Sequence, residues 1–216
     1  MSDLSELKNI DAVIFDLDGT LWDSSAGVAA AWSRALERTA PGLRGPITDD
    51  EFRSCMGLQI PDIGAKVFPM LEGEERDRIV KACLTEEEDW LKENGGTVYP
   101  EVEKTLFALG RRYALGLVSN CQRGYIENFF RLTGLGRYFN DFESYGATGL
   151  KKSENIRLLM SRNGYDKACY VGDMILDQLA AREARVPFVY CSYGFGDLDG
   201  YDYRVDSFDQ LQAILK

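Results

Sequence analysis

Three short apolar runs, Ala12–Phe15 (AVIF), Ala114–Val118 (ALGLV) and Ala168–Val171 (ACYV), each stop at a cluster of small polar or acidic residues. A run of four or five apolar residues is too short for a buried helix and reads as a strand buried on both faces. A fourth run, Pro187–Tyr190 (PFVY), closes the series. Helical stripes stand between them: Val102, Leu106 and Leu109; Ile126, Phe129 and Phe130; Ile156, Leu159 and Met160; Leu176, Leu179 and Ala180. Strand–loop–helix alternation predicts an α/β chain, a Rossmann-like parallel sheet with helices on both faces. Ligands of such sheets bind outside the carboxyl ends of the strands.

Between the first and second runs lie more than seventy residues. Val28, Trp32, Ala35 and Leu36 begin a helix after Ser24 or Ser25, and residues 48–94 are mostly helical in pattern. The segment is too long for a crossover and too regular for a loop. It is expected to be an inserted α-helical domain spanning 22–95, leaving 1–21 and 96–216 as the core. Trp32 and Trp90 are assigned to the interior of the insert, and the run Glu86–Asp89 to a solvated face.

Charge and residue types exclude several functions. Lys plus Arg is 25 against 35 Asp plus Glu, for a net charge of −10. Such a surface repels nucleic-acid phosphates and anionic membranes. There is no His, which removes Ser-His-Asp and Cys-His catalysis and every His-based metal site. Five Cys without a CxxC spacing argue against a zinc cluster or a disulfide framework. With no signal-like N-terminus and no long apolar stretch, the expectation is a cytoplasmic protein.

The polar residues at the strand ends are Asp16-Leu17-Asp18-Gly19-Thr20, Ser119-Asn120, the pair Lys151-Lys152 in a Gly-rich loop, and Gly172-Asp173 with Asp177. Singly, each has an ordinary structural role: an Asp after a strand caps a turn, and a lysine is a solvated charge. Their recurrence at one type of position is what carries information.

In that order, DLDGT (16–20), SN (119–120), Lys151 and GDMILD (172–177) resemble the four motifs of the haloacid dehalogenase-like hydrolase superfamily. The insert resembles the helical cap of its subfamily I. Tyr99-Pro100-Glu101-Val102 and VPFVYCSYGFG (186–196) resemble the phosphoglycolate phosphatase-like branch. The resemblance implies that Asp16 is the nucleophile that receives a phosphoryl group and Asp18 the general acid and base. It implies Mg²⁺ held by Asp16, Asp173 and the main chain of Asp18, with Asp177 and Thr20 supporting from behind. Ser119, Asn120 and Lys151 would hold the transferring oxygens. The family commonly follows its motif Lys with Pro; here Lys152 follows, and stands as the alternative.

Elementary chemistry agrees with those roles. A carboxylate of ordinary pKa, about 3.9, needs no activating base at neutral pH, which suits a chain without His. Two unit negatives 3 Å apart repel by about 5–6 kcal/mol at an effective dielectric of ~20. Three aspartates and one lysine therefore need a divalent cation before a phosphate can approach, and hard oxygen ligands favour Mg²⁺. Dehalogenases of the superfamily lack the second Asp of the first motif, so Asp18 favours a phosphatase. A small phosphorylated metabolite is the expected partner, with phosphoglycolate as lead candidate and Arg53 as the residue to meet its carboxylate. Sugar-phosphate, nucleotide and pyrophosphate hydrolysis are alternatives within the superfamily; a phospho-acceptor without turnover is one outside it.

Overall fold

The computed structural model describes residues 7–215. Six strands form one parallel sheet: β1 (Ala12–Phe15), β4 (Ala114–Ser119), β5 (Asp141–Ser144), β6 (Ala168–Gly172), β7 (Phe188–Cys191) and β8 (Tyr203–Val205). Their spatial order is β5-β4-β1-β6-β7-β8. The strand order reverses direction at β1, which pairs with β4 on one side and β6 on the other. Phe15 stands opposite both Leu117 and Val171. That register carries Asp16, Ser119 and Asp173 past the end of the sheet side by side, at the switch point where open α/β sheets bind ligands.

Alternation of side chains along the strands divides the interior in two. Val13, Phe15, Leu115, Leu117, Cys169 and Val171 face one side, where they join Val102 and Leu106 of α5 (Val102–Leu109) and Ile126 and Phe129 of α6 (Tyr125–Thr133). Ala12, Ile14, Val118, Ala168 and Tyr170 face the other, against Ile156 and Leu159 of α8 (Lys152–Asn163) and Ala180, Ala181 and Ala184 of α9 (Ile175–Ala184). Both faces are covered, as an all-parallel sheet requires.

A two-stranded antiparallel ribbon, β2 (Trp22–Asp23) with β3 (Thr97–Val98), pairs Trp22 with Val98 and Asp23 with Thr97. Four helices lie between its strands: α1 (Ser25–Thr39), α2 (Asp49–Arg53), α3 (Ile60–Val67) and α4 (Gly73–Asn94). Trp32 is fully buried among them, edge-on to Phe52 and stacked 6.2 Å from Phe68. Trp90 lies against Gly27 of α1, where a Cβ would collide with the indole. Among the described residues no helix is long and apolar enough to cross a membrane.

The acidic run 86–89 departs from the expectation of a solvated face. A helix turns ~100° per residue, so Glu87 shares the inner face with Cys83 and Leu91. All three are buried. Glu86 pairs with Arg34 and Arg38, and Glu88 pairs with Lys92.

Candidate active site

Asp16 follows directly on β1, its N–H donating to Val171 O at 2.8 Å, so the ladder fixes its backbone. Its side chain is buried, and Oδ1 accepts from Lys152 Nζ at 2.9 Å. The same ammonium donates to Asp177 Oδ1 at 2.6 Å. The lysine in the cluster is therefore Lys152. Lys151, to which the phosphate-holding role was assigned, is exposed. It precedes the first turn of α8, and its N–H donates to Glu154 Oε2. Lys152 is the first residue inside the helix and lies over the sheet; the one-residue difference is the difference between capping the helix and entering it.

Asp177 is fully engaged. Oδ2 accepts the N–H groups of Asp173 (3.1 Å) and Met174 (2.9 Å), and Oδ1 takes Lys152. It ties the β6–α9 turn together and orients the ammonium, a carboxylate at a helix N-terminus where the dipole favours it. Asp173 Oδ2 accepts Phe195 N–H at 2.7 Å, and Thr20 Oγ1 lies 3.4 Å from Oδ1. The carboxylate fits only because Gly19, at φ +83°, and Gly194 carry no Cβ; either Cβ would overlap Asp173.

Oxygens of Asp16, Asp173 and Asp177 lie within 4.8 Å of one another, all buried. Burial, then the charge of Asp177, pushes Asp16 up to about 7 against the pull of Lys152. Burial, followed by Asp177 and Asp16, raises Asp173 well above the carboxylate range. Burial alone would lower Lys152, but the charges of Asp16 and Asp177 outweigh it and hold the ammonium protonated. Three crowded carboxylates with one ammonium are a hard-oxygen donor set short of positive charge. They fit a divalent cation, with Asp16 and Asp173 offering oxygens and Asp177 already occupied by donors.

Asp18 stands apart from that cluster. One oxygen, Oδ1, accepts from Trp22 Nε1 (2.9 Å), Ser24 Oγ (2.9 Å) and Tyr125 Oη (2.8 Å). Oδ2 has no hydrogen bond among the described residues. Burial raises the pKa of Asp18 while the three donors oppose the rise. The carboxyl group is thus held rigidly by one oxygen and free at the other. Sequence reasoning missed Ser24 and Tyr125 in this role, and Phe195 and Gly194 around Asp173. Ser24 lies close to DLDGT in the chain; Tyr125, just before the Ile126 stripe, carries no such signal.

Ser119 is buried at the end of β4. Asn120 donates from Nδ2 to Gly57 O at 2.8 Å and so bridges to the insert, while its buried Oδ1 has no partner among the described residues. Thr20 is buried, its carbonyl accepting from Tyr193 Oη. Arg53 lies outside the cluster. It pairs with Asp23 (2.7 Å) and Asp49 (3.1 Å), with its guanidinium 5.5 Å from the centre of the Phe195 ring. A cavity of about 60 Å³ between the insert and the strand ends is bordered by Asp16, Asp18 and Ser119.

This architecture has known counterparts. Residues 13–191 match the model of the family described as haloacid dehalogenase-like hydrolase. The chain is 29% identical to a plasmid-borne phosphoglycolate phosphatase of Cupriavidus necator, covering 94% of this chain and 92% of that one. It is likewise 29% identical to a pyrophosphatase of Bacillus velezensis, covering 96% and 97%. A haloacid dehalogenase-like family hydrolase from Streptococcus pneumoniae superposes with a TM-score of 0.84 at 20% identity, covering 96% and 99% of the two chains.

Proposed function

Since the chain belongs to the haloacid dehalogenase-like hydrolase family and is a phosphatase, we propose that it hydrolyses small phosphomonoesters with Mg²⁺ through an aspartyl-phosphate on Asp16. The observation that carries this reading is the pairing of two unlike carboxyl groups. Asp16 sits in a charged cluster with Lys152, Asp173 and Asp177, while Asp18 is caged by three donors beside the same cavity.

In the first half-reaction a carboxylate oxygen of Asp16 attacks phosphorus in line. The Asp16–phosphorus bond forms, the bond to the leaving oxygen breaks, and Asp18 gives that oxygen a proton from its free Oδ2. In the second, Asp18 takes a proton from water and the resulting hydroxide displaces Asp16, releasing inorganic phosphate. Asp16, Asp173 and the Asp18 carbonyl would hold the Mg²⁺, which would supply neutralising charge to the phosphoryl oxygens. Lys152 and Ser119 hold the transferring oxygens, with Asn120 locking the loop to the insert. Asp177 and Thr20 act behind them, through Lys152 and Asp173.

Residues 22–95 form a cap that closes over 1–21 and 96–216 and excludes water. Asn120 with Gly57 and Arg53 with Phe195 are cross-links that support a closed arrangement. Arg53 serves this seam, since both its ion-pair partners are already in place.

The test is release of phosphate from p-nitrophenyl phosphate by the Mg²⁺-loaded enzyme, with phosphoglycolate the first metabolite assayed because a relative bears its name. EDTA and Asp16→Asn should each abolish turnover; activity surviving both overturns the reading.

A further inference from the structure

The cap contributes ten residues to the cavity over Asp16 and Asp18, and they include no Lys or Arg. Phe52, Met56, Ile63 and Leu84 are among its walls, and its single polar side chain apart from the Trp32 indole is Glu87. From the core side Gln122 stands next to it, Nε2 3.4 Å from Glu87 Oε1. Oε2 is taken by Trp32 Nε1 at 2.6 Å, so Oε1, engaged among the described residues only by the long contact from Gln122, has room for a ligand. No ion pair holds Glu87 among the described residues.

We propose that this pocket takes a short, uncharged alcohol bearing one further hydroxyl, and that Glu87 with Gln122 reads that hydroxyl. The proposal rests on the phosphatase chemistry and names its leaving group. Burial pushes Glu87 up to about 8, against the Trp32 hydrogen bond and assisted by the Asp18 charge, so its carboxyl is neutral at neutral pH. A neutral carboxyl both donates and accepts, as does a primary amide beside it. A hydroxyl fits both. A second anionic head would enter an apolar enclosure with no cation in its lining, near Asp18, and an unpaired buried charge is strongly disfavoured. The size is bounded as well: about 60 Å³ is the space of roughly two waters at ~30 Å³ each. Leaving groups of a few heavy atoms fit without displacing the cap.

Four phosphates of two-carbon alcohols separate the possibilities: 2-hydroxyethyl phosphate, ethyl phosphate, phosphoglycolate and phosphoethanolamine, assayed with the Mg²⁺-loaded full chain alongside p-nitrophenyl phosphate. The expected order in kcat/KM places 2-hydroxyethyl phosphate at least tenfold above phosphoglycolate and at least threefold above ethyl phosphate. In Glu87→Ala the hydroxyethyl-to-ethyl ratio falls to about one, with the loss in KM; Glu87→Gln, which keeps the shape and the hydrogen bonding, retains at least half of it on a logarithmic scale. Preference for phosphoglycolate overturns the proposal. So does preference for phosphoethanolamine, which would make Glu87 an anion meeting an ammonium, or a ratio unchanged in Glu87→Ala. Hydrolysis of p-nitrophenyl phosphate with none of the four turned over overturns the pocket assignment alone. Failure to hydrolyse any of the five phosphates, p-nitrophenyl phosphate included, overturns the phosphatase chemistry beneath it.

Discussion

Lys151 and Lys152 are chemically identical neighbours, and one helix start separates their roles. The exposed residue precedes α8, and the buried one bridges Asp16 and Asp177. Lys152→Met should lower kcat by about 10²–10³-fold or more, the usual cost of losing one donor to the developing charge, whereas Lys151→Met should stay within about twofold of the parent. A larger loss for Lys151→Met than for Lys152→Met in steady-state assays would return the role to Lys151. The motif was legible in sequence, but its lysine was not, because helix boundaries read from pattern are uncertain by about one or two residues. Glu87 was illegible for a related reason: four consecutive acids hide the phase of the helix that carries them. Its titration gives a second test. A carboxyl whose folded pKa lies near 8 rather than at its ordinary value of 4.5 binds a proton that the unfolded chain has lost in that interval. Its favourable contribution is complete below 4.5 and disappears as pH rises through 8. The groups around it are Trp32, Gln122, Cys83 and Tyr125, with Asp18 acting through its charge. Glu87→Gln removes this dependence, so its thermal midpoint relative to the parent should rise from pH 5 to pH 8.5. A flat difference across that range would show that Glu87 is ionised throughout.

Among the elements, the central strands were legible and the edges were not. β1, β4 and β6 are buried on both faces and read as apolar runs. β5 is Asp-Phe-Glu-Ser; at the sheet edge its acids pair outward with Arg162, so hydrophobicity gives no sign of a strand. β8 has three residues with an exposed Arg204 in the middle. The β2–β3 ribbon has two residues per strand and is recognisable only through its cross-strand partner. Gly27 of α1 shows packing overruling local preference. Alanine at an exposed helix interior stabilises by about 1 kcal/mol relative to glycine. Here the Trp90 ring occupies the space of the Cβ. Gly27→Ala should therefore destabilise by roughly 1–3 kcal/mol, the range for overpacking. Chemical denaturation should show a lower midpoint at unchanged slope; a gain would mean that Trp90 has an alternative packing position at little cost.

For the whole molecule, the sheet register concentrates negative charge at one point of a chain that is already acidic. Asp16, Asp173 and Asp177 converge there with Lys152 as the ammonium between them. Without a cation, that convergence opposes folding, because the repulsion is relieved when the strand ends separate. A divalent cation that bound the folded form alone, Mg²⁺ in the proposed reading, would reverse the balance, by about 2.7 kcal/mol at a hundredfold excess over Kd. For a chain of this length that corresponds to a thermal shift of roughly 5–11 °C. Asp173→Asn removes one charge while its side-chain carbonyl can still accept the Phe195 N–H. In EDTA, Asp173→Asn should melt at or above the parent temperature; in saturating Mg²⁺ the parent should rise by the stated amount and the variant by little. The crossing of the two curves is the informative result. A parent insensitive to Mg²⁺, or a variant that responds equally, would mean that the three carboxylates are neutralised within the protein and do not depend on a metal for their charge balance.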